Sequence, residues 1–392
     1  MASGMIPRLL CLAAFLFTFA TARAADAEFR GAWVATVYNL DWPSKPGLPV
    51  AEQKAQLRAI LDRAAQLKLN AILFQVRPAS DALYASKREP WSAVLMGKQG
   101  VSPGYDPLEY AITEAHARGI ELHAWFNPFR AATGSKGFAS NHVTQTHPEW
   151  IRPFGSQQWV DPGDPAARAY VIDVILDVVR RYDIDGVHID DYFYPYPLKV
   201  GDAYFPDDAS WERFGVRSGM SRPDWRRDNI NRFVEALYHQ VKAEKARVRV
   251  GISPFGIWRP KVPATIEAQL DAFTQLFADS RHWLQEGWCD YLAPQLYWGI
   301  EPAKQSFPVL LEWWRQQSRG KPIWPGIATE RIGSGRSAQE IARQIALTRE
   351  GNLGGNAPGH IHWDMKALMR NVGGINGVLA ETYSDRAEAP RR

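Results

Sequence analysis

The sequence predicts a (β/α)8 barrel, and three observations lead to that fold class. Eight short apolar runs, rich in Val, Ile and aromatic residues, alternate along the chain with eight helical patterns. The 392-residue chain has room for one barrel of roughly 250 residues with insertions. A doubly wound open sheet is the alternative, but no Gly-rich phosphate-binding turn follows the first apolar run.

Each predicted strand is short and each helical pattern has a recognisable start. The strands are Phe29–Val37, Ala71–Val76, Ile120–Phe126, Ile184–Ile189, Val248–Ser253, Tyr291–Leu296, Ile323–Ala328 and Gly359–Trp363. The helical patterns are Glu52–Lys68, one from Asp106, Asp164–Arg181, Asp224–Lys245, Thr274–Glu286, Phe307–Gln317, Ser337–Arg349 and one from Met365. Asp106 before a proline, and Ser337 three residues before a glutamate, are capping signals. The loops after strands three and four are long, as expected for the walls of a barrel's active face.

The first 24 residues are predicted to be a secretory signal peptide. Arg8 precedes an apolar run over residues 9–20, and Ala22-Arg23-Ala24 provides a small-x-small cleavage site. The run is too short for a comfortable membrane span, so we expect no membrane anchor and a mature protein that is periplasmic or secreted. The barrel domain is then residues 25–380, followed by a polar tail at residues 381–392.

The number of cysteines indicates the cellular compartment, and the net charge indicates which classes of partner are expected. Cleavage leaves Cys289 as the only cysteine, which favours a bacterial periplasm over a disulfide-stapled extracellular scaffold. The formal net charge of +4 falls when the signal peptide leaves, and no block of Lys and Arg is present. We therefore expect no nucleic-acid partner. A monomeric protein is also expected, and the expectation of a glycan ligand comes from the residues at the strand ends.

The fourth predicted strand ends in two adjacent carboxylates, Asp190 and Asp191. Two acids placed together raise each other's pKa, and structure alone seldom requires such a pair. Because strand side chains alternate, Asp190 shares the barrel interior with His188, whereas Asp191 points away unless the strand has ended. We expect Asp190 to be catalytic and Asp191 to orient it or to bind substrate. The structural alternative is an ion pair between Asp190 and Arg77, with Asp191 capping a turn.

The other strand ends contribute polar groups of matching parity at the end where barrel enzymes act. They are Gln75 and Arg77 on strand two, His123, Trp125 and Asn127 on strand three, Gln295 and Tyr297 with neighbouring Trp298 on strand six, Glu330 after strand seven, and His362 and Asp364 on strand eight. Any one of them could be structural, and a buried hydrogen-bonded histidine is the plain interpretation of His123 and His188. Together they predict a polar site.

Aromatic residues at the same end indicate the substrate class. Sugar rings have apolar faces and polar edges, which suits flanking aromatic side chains. Trp125, Tyr192, Tyr297 and Trp298 are the predicted sugar platform, although any one of them could instead belong to the core. These aromatics, beside an acid pair, predict acid/base or nucleophilic chemistry on a carbohydrate.

Two alternatives to a carboxylate-based enzyme are open. A metal site could use His123, His188, Asp190 and Asp364, but strand one lacks a His-x-His pair and no local ligand spacing stands out, so we expect no metal and no cofactor. A non-catalytic glycan-binding barrel of the cell envelope would keep the aromatics but would not need adjacent acids.

Seven motifs resemble a bacterial family termed glycosyl-hydrolase-like family 10. They are RGAW (30–33), QVRP (75–78), HAWFNP (123–128), DGVHIDDYFYP (185–195), WRRDN (225–229), GISPFGIWR (251–259) and PQLYW (294–298). The match covers nearly the whole mature chain. The resemblance implies a (β/α)8 barrel and an O-glycoside hydrolase of the cell wall. The best-known type in that family is a divisome-associated periplasmic glycosidase that cuts peptidoglycan strands stripped of their stem peptides.

Strand four also resembles the alpha-amylase family, which implies that Asp190 is the nucleophile. The acid of that family ends strand five, where this chain has no carboxylate, so that role is not transferable. Glu330 is the first substitute, and Asp191 and Asp364 are open alternatives. A carboxylate pair is then expected to act at the bond, with retention or inversion undecided and an N-acetyl-assisted route possible.

Overall fold

The computed structural model describes residues 27–199, 204–350 and 357–390, which form a closed (β/α)8 barrel. Its strands are β1 Phe29–Val34, β2 Ala71–Arg77, β3 Glu121–Phe126, β4 Gly186–Ile189, β5 Arg249–Ile252, β6 Tyr291–Leu292, β7 Gly326–Ala328 and β8 Gly359–Trp363. Parallel ladders run in the order β7-β8-β1-β2-β3-β4-β5-β6. Parallel bridges from Leu292 to Ile323 and from Gln295 to Gly326 join β6 to β7, which completes the ring. The predicted fold class is confirmed, while the predicted signal peptide lies outside the described residues.

The helices cover the outside of the ring. They are α1 Val50–Gln66, α2 Pro107–His116, α3 Pro165–Arg181, α4 Arg222–Glu244, α5 Ser280–Glu286, α6 Phe307–Gln317, α7 Ala338–Arg349 and α8 Ile375–Thr382, with short additional segments at Ala93–Met96, Val143–Thr146, Asp208–Ser210, Ala272–Gln275 and Met365–Met369. The predicted caps form: Asp106 accepts the backbone N–H groups of Leu108 and Glu109, and Ser337 accepts that of Glu340. None of the helices in the described ranges is long and apolar enough to cross a membrane.

Several elements are shorter than the sequence predicts, and proline explains two of them. β6 stops before Pro294 and β7 begins after Pro325, because proline has no N–H to donate to a ladder. β1 ends at Val34 rather than at residue 37. The helix predicted at residues 274–286 is divided at Phe277, whose φ is 53°, and α5 starts anew with Asp279 as its cap.

The long loops after β3 and β4 are folded rather than irregular. The first contains a three-stranded antiparallel sheet with strands Arg130–Ala132, Ile151–Phe154 and Gln157–Val160. The second loop packs on this sheet, since Trp159 Nε1 donates to the carbonyl of Phe193 at 2.8 Å and Ser210 Oγ donates to Asp161 at 2.6 Å. The two loops therefore form one wall beside the ends of β3 and β4.

Glycines in the barrel interior make room for the rings that fill it. A Cβ on Gly186 would lie 2.5 Å from the His123 ring, and one on Gly251 would lie 1.9 Å from the Tyr291 ring. Because such separations are shorter than any real Cβ contact, β4 and β5 need glycine at these positions. The rings of β3 and β6 thereby close the barrel core beneath its carboxyl-terminal face.

The C-terminal segment closes the opposite end of the barrel. The backbone N–H of Glu28 donates to the carbonyl of Glu388 at 3.1 Å, and Arg30 Nη1 donates to the carbonyl of Asp385 at 2.7 Å. Ala387 between them is 5% exposed. The open, site-bearing end is therefore the one where the strands finish.

Candidate active site

Asp190 lies in the barrel interior, where strand alternation predicts it. Its Oδ2 accepts hydrogen bonds from Trp125 Nε1 at 3.0 Å and from Asn127 Nδ2 at 3.1 Å, and its Oδ1 accepts the backbone N–H of Tyr192 at 3.3 Å. Burial and the neighbouring charge of Asp191 raise the pKa of Asp190 to about 7. Trp125 is only 5% exposed, so it holds the carboxylate rather than presenting an open stacking face.

Asp191 also turns toward the site, because β4 has already ended at Ile189. Its carboxylate accepts the hydroxyl of Tyr196 and a hydrogen bond from the side chain of Gln295, which stands at the end of β6. Burial raises the pKa of Asp191 as well. Two adjacent acids that both resist ionisation titrate as a unit, and the pair tends to retain one proton near neutral pH.

Arg77 is not at the site, and it does not pair with Asp190. Its Nη2 and Nε contact the two carboxylate oxygens of Glu89 at 2.6 and 2.8 Å. Its Nη1 donates to the carbonyls of Asn127 and Pro128 at 2.7 and 2.9 Å. The side chain is fully buried. The structure therefore corrects both expectations for Arg77, the substrate contact and the ion pair with Asp190, because all its donors serve the loops.

Gln75 is likewise engaged with the protein. Its Oε1 accepts the backbone N–H groups of Thr36 and Val37, both at 2.9 Å, and the residue is 1% exposed. Strand parity correctly indicates that Gln75 stands at the end of β2, but its amide holds the loop after β1. A direct contact with substrate is not supported by this position.

The two predicted histidines form a buried polar layer beneath the carboxylates. Both His123 Nδ1 and His188 Nδ1 are hydrogen-bonded to the Tyr291 hydroxyl, at 2.9 and 3.0 Å. His188 Nε2 lies 3.1 Å from Trp33 Nε1 and 2.9 Å from Ser253 Oγ. Burial lowers the pKa of His188 well below its ordinary value, so its ring is neutral. These are hydrogen-bonded core histidines, and neither reaches the open face.

The interior parity of β8 is opposite to the prediction. His362 Nε2 is hydrogen-bonded to the Tyr383 hydroxyl at 3.0 Å on the helix-facing side. Trp363 is inside instead, with its ring centroid 6.0 Å from that of Trp33. A shift of one residue exchanges the two faces of a strand. Ile361 and Trp363 share the interior, which is itself largely apolar, whereas His360 and His362 both contact the Tyr383 hydroxyl.

Asp364, the last of the residues considered as metal ligands, lies away from His123 and His188. Asp364 Oδ1 accepts the backbone N–H of Ala367 at 3.0 Å and so caps the helical segment Met365–Met369. It is not grouped with His123 or His188, which bond to Tyr291 deeper in the barrel. Within residues 27–199, 204–350 and 357–390, no three His, Cys, Asp or Glu side chains are arranged to hold a metal ion.

Glu330 stands at the rim of the site, in the turn that follows β7. Its side chain is 30% exposed, and its Oε2 is buried without a hydrogen-bond partner in the described structure. Burial raises the pKa of Glu330. After burial itself, the charges of Glu330, Asp191 and Asp364 all raise the pKa of the Tyr297 hydroxyl, so this hydroxyl lies within electrostatic range of all three carboxylates.

Sequence reasoning missed Asp41, which joins the loops after β1 and β8. Its Oδ2 accepts the backbone N–H of Ala35, and its Oδ1 accepts that of Lys366, both at 2.7 Å. Burial and the charge of Asp364 raise the pKa of Asp41 to about 7. An acid directly followed by Trp42, soon after a strand end, was the available signal for this residue.

An aromatic groove leads away from Asp191. The cavity has a volume of about 410 Å³ and is lined by Tyr196, Pro197, Phe255, Ala268, Gln269, Leu270, Gln275, Trp298 and Gln305. Tyr196 connects it to Asp191 through its hydroxyl, and the rings of Phe255 and Trp298 meet edge to face at 5.6 Å. Its lining is neutral throughout, with amide side chains among the rings. Trp298, Tyr297 and Tyr192 are all partly exposed, in contrast to Trp125.

Comparisons with known proteins agree with this geometry. A family model described as glycosyl hydrolase-like 10 matches residues 28–342. The glycosyl hydrolase YngK of Bacillus subtilis is 40% identical over 382 residues, which span 94% of this chain and 74% of the relative. The glycosyl hydrolase DigH of Escherichia coli K12 is 33% identical over 337 residues, which span 80% of this chain and 76% of that protein.

Solved structures support the fold independently. The glycoside hydrolase domain of PgaB (BpsB) from Bordetella bronchiseptica superposes with a TM-score of 0.57 at 14% identity, covering 90% of this chain and 98% of that one. The endo-1,4-beta-mannanase of Rhizomucor miehei gives a TM-score of 0.54 at 12% identity, covering 91% and 95%. At such identities the likeness concerns the barrel and not its substrate.

Proposed function

Because the chain belongs to the glycosyl hydrolase-like 10 family and is therefore a glycosidase, we propose that it hydrolyses O-glycosidic bonds of peptidoglycan strands in the periplasm. The preferred substrate is a strand stripped of its stem peptides. The observation that carries the catalytic part of the proposal is the pair Asp190 and Asp191, buried side by side at the end of β4 with raised pKa values.

Asp190 is the proposed nucleophile or stabiliser of the oxocarbenium-like transition state. Its two carboxylate oxygens accept three N–H groups, from Trp125, Asn127 and the backbone of Tyr192. Because N–H groups only donate, this setting favours the ionised form of Asp190 once the pair has lost a proton. The same contacts hold the carboxylate in one orientation toward the anomeric carbon.

Glu330 is the proposed proton donor to the leaving oxygen. It is partly exposed, its pKa is raised by burial, and one of its oxygens has no partner in the described structure. Asp364 is occupied as a helix cap, and Asp191 is held by Tyr196. Asp191 then acts on Asp190 only through its neighbouring charge and the proton that the pair shares. The distance between the two catalytic carboxyl groups in the complex decides between retention and inversion.

The aromatic groove is the proposed site for the sugar next to the scissile bond. Rings such as Trp298 and Phe255 suit the apolar faces of a pyranose, and the glutamine amides suit an acetamido group. A neutral lining matches the uncharged N-acetylglucosamine unit of the strand. If the acetamido oxygen attacks the anomeric carbon, Asp190 stabilises the resulting cation instead of bonding to it.

The decisive experiment offers the purified protein two substrates and follows the fragments by mass spectrometry. Strands stripped of peptides should yield defined oligosaccharides, and intact sacculi should yield far less. Asp190→Asn protein is the matched control and should release nothing. Binding of the strands without fragments from the wild type would favour a non-catalytic glycan-binding barrel and overturn the proposal.

A further inference from the structure

Arg130 is a buried arginine that lacks the partner its counterparts have. Five arginines are buried in the described part of the chain, and four contact a carboxylate at 2.5 to 2.6 Å: Arg30 with Glu28, Arg77 with Glu89, Arg226 with Asp207 and Arg249 with Glu121. Arg130 is 5% exposed, its Nε has no hydrogen-bond acceptor, and no described carboxylate lies within 4.0 Å of its guanidinium. A buried cation without a direct carboxylate partner is costly, so a retained one indicates a use.

The guanidinium borders the catalytic pair. Its carbon lies 4.2 Å from the centroid of the Tyr192 ring, in a cation–π contact. Burial raises the pKa values of Asp190 and Asp191, and the positive charge of Arg130 partly opposes both rises. The backbone N–H of Arg130 donates to Asn127 Oδ1 at 3.4 Å, and the same side chain holds Asp190.

We propose that Arg130 recognises a free carboxylate on the substrate sugar. The inference rests on the proposed function and names the chemical group of the glycan strand that the enzyme binds. A planar guanidinium pairs with a carboxylate through two parallel hydrogen bonds, which an amide cannot reproduce. The lactyl carboxylate of a muramic residue is free only where the stem peptide has been removed, because the peptide is joined to it as an amide. Arg130 thereby makes the enzyme prefer stripped strands.

A competing role for Arg130 is electrostatic support of Asp190 and Asp191 alone. That role would affect every substrate equally, whereas carboxylate recognition affects the ratio between two substrates. The ratio of kcat/KM values for a carboxylate-bearing strand and its neutral amide is therefore the informative quantity. Coupling methylamine to stripped strands with a carbodiimide supplies the neutral form.

The wild type should cleave the carboxylate form about ten-fold or more faster at low substrate, since hydrogen bonds between charged groups are the stronger ones. Arg130→Gln should remove most of that ratio, and Arg130→Lys should keep part of it. Arg152→Gln, which removes a cation from the same three-stranded sheet, should leave the ratio intact. Equal rates on both strands in the wild type, or an unchanged ratio in Arg130→Gln, overturn the inference.

Calorimetry separates this inference from the proposed function. A disaccharide of N-acetylglucosamine and N-acetylmuramic acid should bind the wild type more tightly than its methylamide, and Arg130→Gln should abolish the difference. A hexuronate disaccharide distinguishes a general carboxylate reader from one specific for the lactyl group. If no strand is cut but the carboxylate-dependent affinity is present, only the hydrolase proposal fails. Equal affinity for acid and amide in the wild type overturns the role of Arg130 even if Arg130→Gln does not fold.

Discussion

Charged side chains are buried at the ends of both β2 and β4, but only the charge at the end of β2 has a full set of compensating partners. Arg77 at the end of β2 meets the Glu89 carboxylate, two backbone carbonyls and the Ser80 hydroxyl at 3.0 Å or less. At the end of β4, Asp190 is placed beside the like charge of Asp191. Burial is similar at the two ends, so the degree of compensation distinguishes a structural charge from a functional one.

The largest expected effect concerns the poorly compensated end. Asp190→Asn should lower turnover of stripped strands by about a thousand-fold or more, because the amide cannot act as nucleophile or stabilise positive charge. The variant should fold at least as stably as the wild type at neutral pH, since it removes one of two like charges. Turnover and the midpoint of urea unfolding measure the two effects. Near-wild-type turnover would remove Asp190 from the mechanism.

The opposite outcome is expected at the well-compensated end. Glu89→Gln should lower the free energy of unfolding by about 3 kcal/mol, because it leaves the buried Arg77 cation without its counter-charge. The folded fraction should keep its turnover at low temperature. Glu149→Gln, at an exposed ion pair with His147, is the control and should change stability by less than about 0.5 kcal/mol. Equal losses in both variants would show that the buried pair of Arg77 and Glu89 contributes no more to stability than an exposed ion pair.

The proton donor gives an effect of intermediate size. Glu330→Gln should slow natural glycosides by roughly a hundred-fold, yet slow activated aryl glycosides only slightly, since a good leaving group needs no proton. Asp191→Asn and Asp364→Asn should be compared on the same two substrates. If Glu330→Gln slows both substrates equally while Asp191→Asn discriminates between them, the donor is Asp191.

Some residues at the two strand ends could be predicted from the sequence and others could not, for physical reasons. Asp190 was predictable because alternation along a strand determines which face it occupies. The partner of Arg77 was not predictable, because Glu89 lies in a loop and no periodicity in the sequence indicates how a loop is folded. Trp363 was missed because an apolar barrel interior and an apolar outer layer produce the same hydrophobic signal, which leaves parity undecided. Arg130 lies in a small sheet within a loop for which the sequence predicts no strands, so nothing in the sequence indicated that it lies near the catalytic pair.

The pH dependence of stability measures the free energy cost of ionising Asp190 beside Asp191 at the end of β4. The pKa of Asp190 is raised to about 7, so its contribution to stability is fully present below about pH 4 and is lost as pH rises through 7. Between pH 5 and 8 the wild type should therefore lose about 2 kcal/mol relative to Asp190→Asn. Urea unfolding of both proteins at the two pH values gives this difference, in which groups distant from Asp190 cancel, while any change in the titration of its neighbour Asp191 is included. A constant difference would mean that Asp190 is not held protonated in the fold.

The smallest expected effect tests whether the aromatic groove extends the β4 site. A ring stacked on a sugar is expected to contribute about 1 kcal/mol beyond area burial, which corresponds to a five-fold change in affinity. Trp298→Ala, in the Asp190→Asn protein so that no turnover occurs, should weaken binding by that factor, and more for long oligomers than for a disaccharide. Trp288→Ala, which alters a partly exposed ring at the opposite end of the barrel, should leave affinity unchanged. Calorimetry on folded variants measures both. Unchanged affinity in folded Trp298→Ala would confine sugar binding to the ends of β4 and β6 and exclude the groove from the site.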